Sequence, residues 1–307
     1  MALLEKEWFI EAPWGRLCII AWGDCCDPPV LVCHGTNDSA VSFRPLIKLL
    51  PRKFYYIGLE LPGCGKSDPM PSGLMISIYD LVYSLQTVVK HFRWMNFVYI
   101  GHSMGCSLGK TYELSYPGKI SKLIELDPIT FNINVPPEKF ALWYNRSFTN
   151  FFDKYSKYDN DNPNDKPKYT KQEALSRVMK RRGISREIAE ALLARVTETT
   201  DGGLLRFAFD ERYTSVTVPP FSKEHVKLLF TSIKTPTLTI IADESKNTGK
   251  YNSCTYLLSE SPSWPNYRVR EVEGNHDVHI IHPERVAPFL VQFLLNDLSG
   301  LDNRAKL

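Results

Sequence analysis

The sequence predicts an α/β protein with a mostly parallel, doubly wound sheet and a helical cap inserted after the sixth strand. Three observations carry that prediction. Short continuous apolar runs recur at 30–33, 54–59 and 97–100, as expected of strands buried on both faces of a parallel sheet. Helical patterns separate them, which implies right-handed crossovers. The alternation stops after Pro128 and resumes at Pro236, so one core interrupted by an insertion fits better than two sequential domains.

Taken in order, 6–12 and 16–22 read as an antiparallel hairpin turned by Pro13-Trp14-Gly15. The run 30–33 follows, then a helix over 43–50 and a strand over 54–59. A helix over 76–92 places Ile78, Leu81, Val82, Leu85, Val88 and Val89 on one stripe. After the strand 97–100, a helix runs from Met104 to about Tyr116, where Pro117-Gly118 stops it. Residues 122–126 read as the sixth strand. Within 129–234, the polar stretch 155–170 reads as a loop, and Ser185 and Ser222 cap helices. Strands at 236–242 and 267–272 and a helix at 283–295 complete the core. The expected division is 1–128 and 235–300 for the core, 129–234 for the cap and 301–307 for a polar tail.

With 307 residues the chain buries a full core without disulfides or metals. A net charge of +3, from 37 basic and 34 acidic residues, argues against a nucleic-acid partner. The seven cysteines, Cys18, Cys25, Cys26, Cys33, Cys64, Cys106 and Cys254, are odd in number and lack metal-pair spacing. They read as reduced thiols of an intracellular protein. No secretory signal is expected at the N-terminus, and no stretch reaches the roughly 18 apolar residues of a membrane span. The ending Ala305-Lys306-Leu307 resembles a peroxisomal address read by an import receptor. The expected location is therefore peroxisomal or cytoplasmic.

Gly101-His102-Ser103-Met104-Gly105 matches Gly-x-Ser-x-Gly with a buried strand before it and a helix after it. That turn thrusts Ser103 above the sheet edge and needs small residues two positions to either side, because strand and helix backbones meet there. A serine hydroxyl needs a base. His276, on the loop after the last strand and freed by Gly274, is the first choice over His279 and His282. Cys33-His34-Gly35-Thr36 ends the third strand and offers the Thr36 N–H, which with that of Met104 would form an oxyanion hole; His34 is expected to brace the loop. Two carboxylates compete for the acid. Asp127 ends the sixth strand, whereas Asp243 lies on the loop after the seventh, where the usual acid position holds Ser245. Asp127 is favoured and Asp243 is the alternative. No metal or cofactor is implied, since His276 and His279 lack an accompanying ligand cluster.

These motifs resemble the serine hydrolase-like protein family of animals, a branch of the α/β-hydrolases. The resemblance runs through Ala12-Pro13-Trp14-Gly15, Ala21-Trp22-Gly23, His34-Gly35-Thr36-Asn37-Asp38, Leu61-Pro62-Gly63-Cys64-Gly65, the Ser103 turn, Phe209-Asp210-Glu211-Arg212 and Gly274-Asn275-His276-Asp277-Val278-His279. It implies a capped pocket, serine hydrolase chemistry, association with peroxisomes or vesicles in some members, and Asp127 as the acid. The chain departs from the family at Thr36, where Trp is usual, at Cys64 in place of His, and at Cys106 in place of Gly, which is expected to narrow the space beside Ser103.

The expected activity is cleavage of a small or lipophilic ester or thioester through an acyl-serine. Phe131, Trp143, Tyr144, Phe148, Phe151 and Phe152 are candidates to line an apolar pocket. The run Lys180-Arg181-Arg182 reads as a solvated helix end, with a phosphate-bearing acyl substrate as the alternative. A non-catalytic small-molecule-binding protein on the same fold is the competing function, and a cofactor-free lyase a third.

Overall fold

A computed structural model describes residues 4–130, 135–158, 166–217 and 220–302. Phe131 and Ala305-Lys306-Leu307 lie outside them. Eight strands form the central sheet: β1 (Glu5–Ala12), β2 (Gly15–Trp22), β3 (Pro29–Cys33), β4 (Tyr55–Leu59), β5 (Phe97–His102), β6 (Ile120–Leu126), β9 (Thr237–Ala242) and β10 (Tyr267–Val272). Two more, β7 (Thr197–Thr199) and β8 (Leu205–Phe207), pair separately. The sheet order is β1-β2-β4-β3-β5-β6-β9-β10. The β1–β2 and β2–β4 pairs are antiparallel, and every pair from β4 to β10 is parallel.

The parallel strands are apolar throughout because both faces are covered. In β3, Val30 and Val32 enter one hydrophobic cluster while Leu31 and Cys33 enter the other, across the sheet. Ile78–Phe92 packs its buried stripe into the second cluster. Ser77 starts that helix with a capping box to Asp80, and Arg93 ends it in the left-handed conformation.

The order β4-β3-β5 puts a reversal of winding between β3 and β5. Their carboxyl ends, and those of β6, β9 and β10, open on one edge, where a crevice forms in such sheets. Between β6 and β9 the chain leaves the sheet for helices at Phe140–Tyr144, Lys171–Arg182, Arg186–Val196 and Lys223–Ser232. Ser185 and Ser222 cap the last two, as the sequence suggests.

Some expectations need correction. The 43–50 segment is a 3-10 turn over Ala40–Phe43 followed by a short helix over Arg44–Ile47. The last helix spans Pro283–Asp302, with a non-helical Asp297. Leu301 is buried and Arg268 pairs with Asp302, so the helix end is anchored to the core while Asn296, Asp297 and Ser299 stay exposed. The β7–β8 hairpin was not anticipated, since three-residue strands carry too little alternation to register. All seven cysteines are free. No helix among the described residues is long and apolar enough to cross a membrane.

Candidate active site

Ser103 follows β5 with φ 54° and ψ −117°, and Met104–Ser115 begins one residue later. The sequence at the turn makes that backbone possible. A Cβ on Gly101 would sit 2.6 Å from the Gly105 carbonyl carbon, and one on Gly105 would sit 2.3 Å from the Cys33 oxygen. Both lie well inside van der Waals contact, so these positions require glycine. The Ser103 N–H donates to the Leu126 carbonyl at 3.0 Å, fastening the turn to the neighbouring strand end.

His276 lies on the loop after β10. Its Nε2 is 2.8 Å from Ser103 Oγ, and its Nδ1 is 2.5 Å from Asp127 Oδ2. This pairing matches the tautomer with the proton on Nδ1 and the lone pair of Nε2 turned to the serine. Gly274, at φ 142°, makes the bend that presents the histidine, and a Cβ there would press to 2.9 Å from Val278 Cγ2.

Asp127 is fully buried, with φ 44°. Its Oδ1 accepts from the Ala242 N–H at 2.9 Å and the Tyr251 hydroxyl at 2.7 Å, and its Oδ2 from the Ser245 hydroxyl at 2.6 Å. Burial alone would raise its pKa. The hydrogen bond from His276, the nearby charges of His276 and Lys250, and the Ser245 hydroxyl outweigh burial and hold the carboxyl well below the usual range. Ser245, standing where the acid was first sought, thus supports an acid supplied by the neighbouring strand. Asp243 does something else: its Oδ1 accepts the Gly274 N–H at 2.8 Å, which braces the histidine loop.

Lys250 was not foreseen. Its Nζ is 2.6 Å from His276 Nδ1 and 3.3 Å from Asp127 Oδ2. With Nδ1 protonated, imidazole and ammonium are both donors facing one carboxylate oxygen, so they compete for it. Gly249-Lys250-Tyr251 carries no pattern that would have placed this lysine; only folding the loop brings it to the dyad.

The oxyanion positions are close by. A Cβ on Gly35 would be 2.9 Å from Ser103 Cβ, so the loop carrying Thr36 passes against the serine. Thr36 Oγ1 donates to Met104 Sδ at 3.5 Å. The Met104 N–H belongs to the first turn of its helix, where no intrahelical acceptor exists. His34 braces the loop, accepting the Leu61 N–H at Nε2, 3.1 Å, with Nδ1 2.7 Å from the Gly35 oxygen. Cys106 does not crowd the serine: its buried thiol points to the Gly101 and Leu126 carbonyls, at 3.1 and 3.6 Å.

Behind the serine lie two buried imidazoles. His102 Nε2 donates to the His276 carbonyl at 2.9 Å, and its ring lies 4.1 Å from that of His279. His279, fully buried, has neither ring nitrogen hydrogen-bonded, and burial is the main cause that pushes its pKa down to about 3. Ligand atoms of His102, His279 and Asp277 come within 4.8 Å of one another. However, Arg182 already binds Asp277 at 2.5 and 3.0 Å and Asp38 at 2.9 and 3.0 Å. A cation there would face a guanidinium, so the cluster suits a metal poorly. Arg182 is therefore no solvated helix end; it ties the helix Lys171–Arg182 to the loops carrying Thr36 and His276.

Ser103 and His276 open on a cavity of about 980 Å³. Its apolar wall is Tyr169, Val178, Leu192, Val196, Phe207 and Phe209. Trp143, Tyr144, Phe148, Phe151 and Phe152 are not among its lining residues. Tyr144 stacks on Phe148 at 5.1 Å, and Phe151 on Tyr158 at 4.8 Å. The aromatic-rich helices thus pack on themselves, and the apolar wall comes instead from Val178 on Lys171–Arg182, from Leu192 and Val196 on the helix that Ser185 caps, and from Tyr169, Phe207 and Phe209.

Comparison with known proteins identifies the fold and its relatives. Residues 28–283 match the family model described as alpha/beta hydrolase fold. The chain is 29% identical to serine hydrolase-like protein 2 of Homo sapiens, over 95% of this chain and 94% of that one. It is 28% identical to a serine hydrolase-like protein of Danio rerio, over 96% and 90%. A solved structure, a hypothetical protein from Pseudomonas aeruginosa, superposes with a TM-score of 0.82 at 22% identity, covering 94% of this chain and 98% of that one. The chain belongs to the alpha/beta hydrolase fold family, and its near-full-length homologues are serine hydrolase-like proteins.

Proposed function

We propose that the protein is a serine hydrolase that cleaves a small or lipophilic ester or thioester through an acyl-Ser103 intermediate. The observation that carries this reading is His276, which bridges Ser103 at 2.8 Å and the buried Asp127 at 2.5 Å. Ser103 Oγ bonds to the substrate carbonyl carbon as its proton passes to His276 Nε2. Asp127 stabilises the resulting imidazolium. The N–H groups of Thr36 and Met104 receive the oxyanion, each such donor being worth about 3 kcal/mol in the transition state. The C–O or C–S bond then breaks and the leaving group takes the proton from Nε2. Water, deprotonated by His276, releases the acid and restores Ser103. The apolar wall of the cavity suits an acyl chain.

A second reading, a non-catalytic binding protein with the same pocket, is favoured by one feature: Lys250 competes with the imidazole for Asp127. A fluorophosphonate probe separates the two. The catalytic reading expects stoichiometric labelling that Ser103→Ala abolishes, whereas a folded protein that takes up no label is a binder.

A further inference from the structure

We infer that the cavity takes an acyl substrate whose leaving group carries phosphate, with the anionic part bound by Arg177, Lys180 and Arg181 at the cavity wall. This deepens the hydrolase reading and rests on it. The three cations stand at i, i+3 and i+4 on Lys171–Arg182 and therefore share one face of that helix. All three line the same cavity as Ser103 and His276. Basic residues in the last turn of a helix offset its dipole, which accounts for the charge of Lys180 and Arg181 but not for that of Arg177 or for their facing the cavity.

The charge on this wall is not internally cancelled. The carboxylates lining the cavity are Asp38, Asp277 and Glu211. Arg182 occupies the first two through four hydrogen bonds. Neither Lys180 nor Arg181 has an ion-pair partner among the described residues. Arg177 lies over the Tyr169 ring at 4.4 Å, an arrangement that orients the guanidinium and keeps its charge. Lys180 and Arg181 thus face the cavity with no ion-pair partner among the described residues, against one carboxylate, Glu211. Arg177, whose charge also acts on Glu173, adds to them. This wall therefore attracts an anion, and the apolar wall beside it accepts a hydrocarbon chain. The matching substrate is amphipathic: an acyl group joined as a thioester to a phosphate-bearing thiol. Hydrolysis adds one water across the C–S bond and yields a carboxylic acid and a free thiol.

The test compares hexanoyl-coenzyme A with hexanoyl-pantetheine, the same thioester without phosphates, and with p-nitrophenyl hexanoate. A hexanoyl carrier protein is added as a second phosphate source. The expected result is a kcat/KM at least tenfold higher for the phosphate-bearing thioester than for hexanoyl-pantetheine, falling with ionic strength. The charge-reversing pair K180E/R181E, checked for folding by its thermal melt, brings that ratio to near unity. Preference for the coenzyme A thioester or for the carrier protein identifies the phosphate source. Equal rates on hexanoyl-coenzyme A and hexanoyl-pantetheine, with turnover of p-nitrophenyl hexanoate intact, overturn the inference and leave the hydrolase reading standing. Absence of turnover on every substrate, with no Ser103 adduct, overturns the hydrolase reading instead.

Discussion

Asp127 and Asp243 both end core strands beside the histidine loop, and their surroundings assign them different work. Asp127 accepts from Ala242, Tyr251, Ser245 and His276, so Asp127→Asn turns a donor toward Nδ1 and selects the wrong tautomer. A loss of about 10⁴-fold in kcat is expected. Asp243→Asn keeps an acceptor for Gly274 and should cost less than about tenfold, within the effect of one weakened hydrogen bond; steady-state rates on an activated ester check both. Lys250 opposes the imidazolium across 2.6 Å. Lys250→Met should therefore raise kcat about fivefold, equivalent to about 1 kcal/mol. A tenfold fall would show that the ammonium aids the reaction. Ser103, His276 and Asp127 were legible in the sequence because a small-residue turn and a strand end leave local marks. Lys250 and Tyr251 were not, since their role depends only on how one loop returns to the dyad.

At the level of elements, the segment between β6 and β9 is held to the sheet core by largely buried arginines. Arg182 joins Lys171–Arg182 to Asp38 and Asp277. Arg195 joins Arg186–Val196 to Glu60 at 2.6 and 2.7 Å. Arg212, fully buried, binds Asp210 and the carbonyls of Met70, Pro71 and Leu74. Removing one partner of such a pair strands the other charge. Arg182→Met should cost about 3–5 kcal/mol in urea unfolding and lower turnover as well, because both loops it clamps border Ser103. Unchanged stability would mean that the two carboxylates do not need it. The core strands and long helices were legible because their apolar periods extend over many residues. Between β6 and β9 the helices after Ser185 and Ser222 were legible, and Leu192 and Val196 of the pocket wall lie on the first of them, whereas Tyr169, Phe207 and Phe209 lie in pieces too short to show a period. Arg182 read as a solvated helix end because a buried guanidinium and a solvated one look alike in sequence.

For the whole molecule, the cluster of buried imidazoles sets the response to acid. His279 has a folded-state pKa near 3 and an unfolded value near 6.5, the burial that lowers it being the main cause. The unfolded chain therefore binds more protons between those values, and the stability from neutral His279 is full above about pH 6.5 and is lost progressively as pH falls toward 3. His102, held well below its ordinary value chiefly by burial, acts in the same direction. Asp127 and Asp38, both depressed, add a further loss as pH falls below the ordinary carboxylate range. His279→Phe should flatten the decline between pH 6.5 and 4 in thermal melts; an unchanged slope would assign the acid sensitivity elsewhere.

All of these effects converge on a serine held at φ 54° between an imidazole and a helix start. Mass spectrometry of the protein after exposure to a fluorophosphonate tests that arrangement most directly. A single phosphonyl adduct is expected on the peptide containing Ser103, absent in Ser103→Ala and strongly slowed in His276→Ala. A folded wild-type protein that gains no adduct, or one labelled equally without His276, would contradict it.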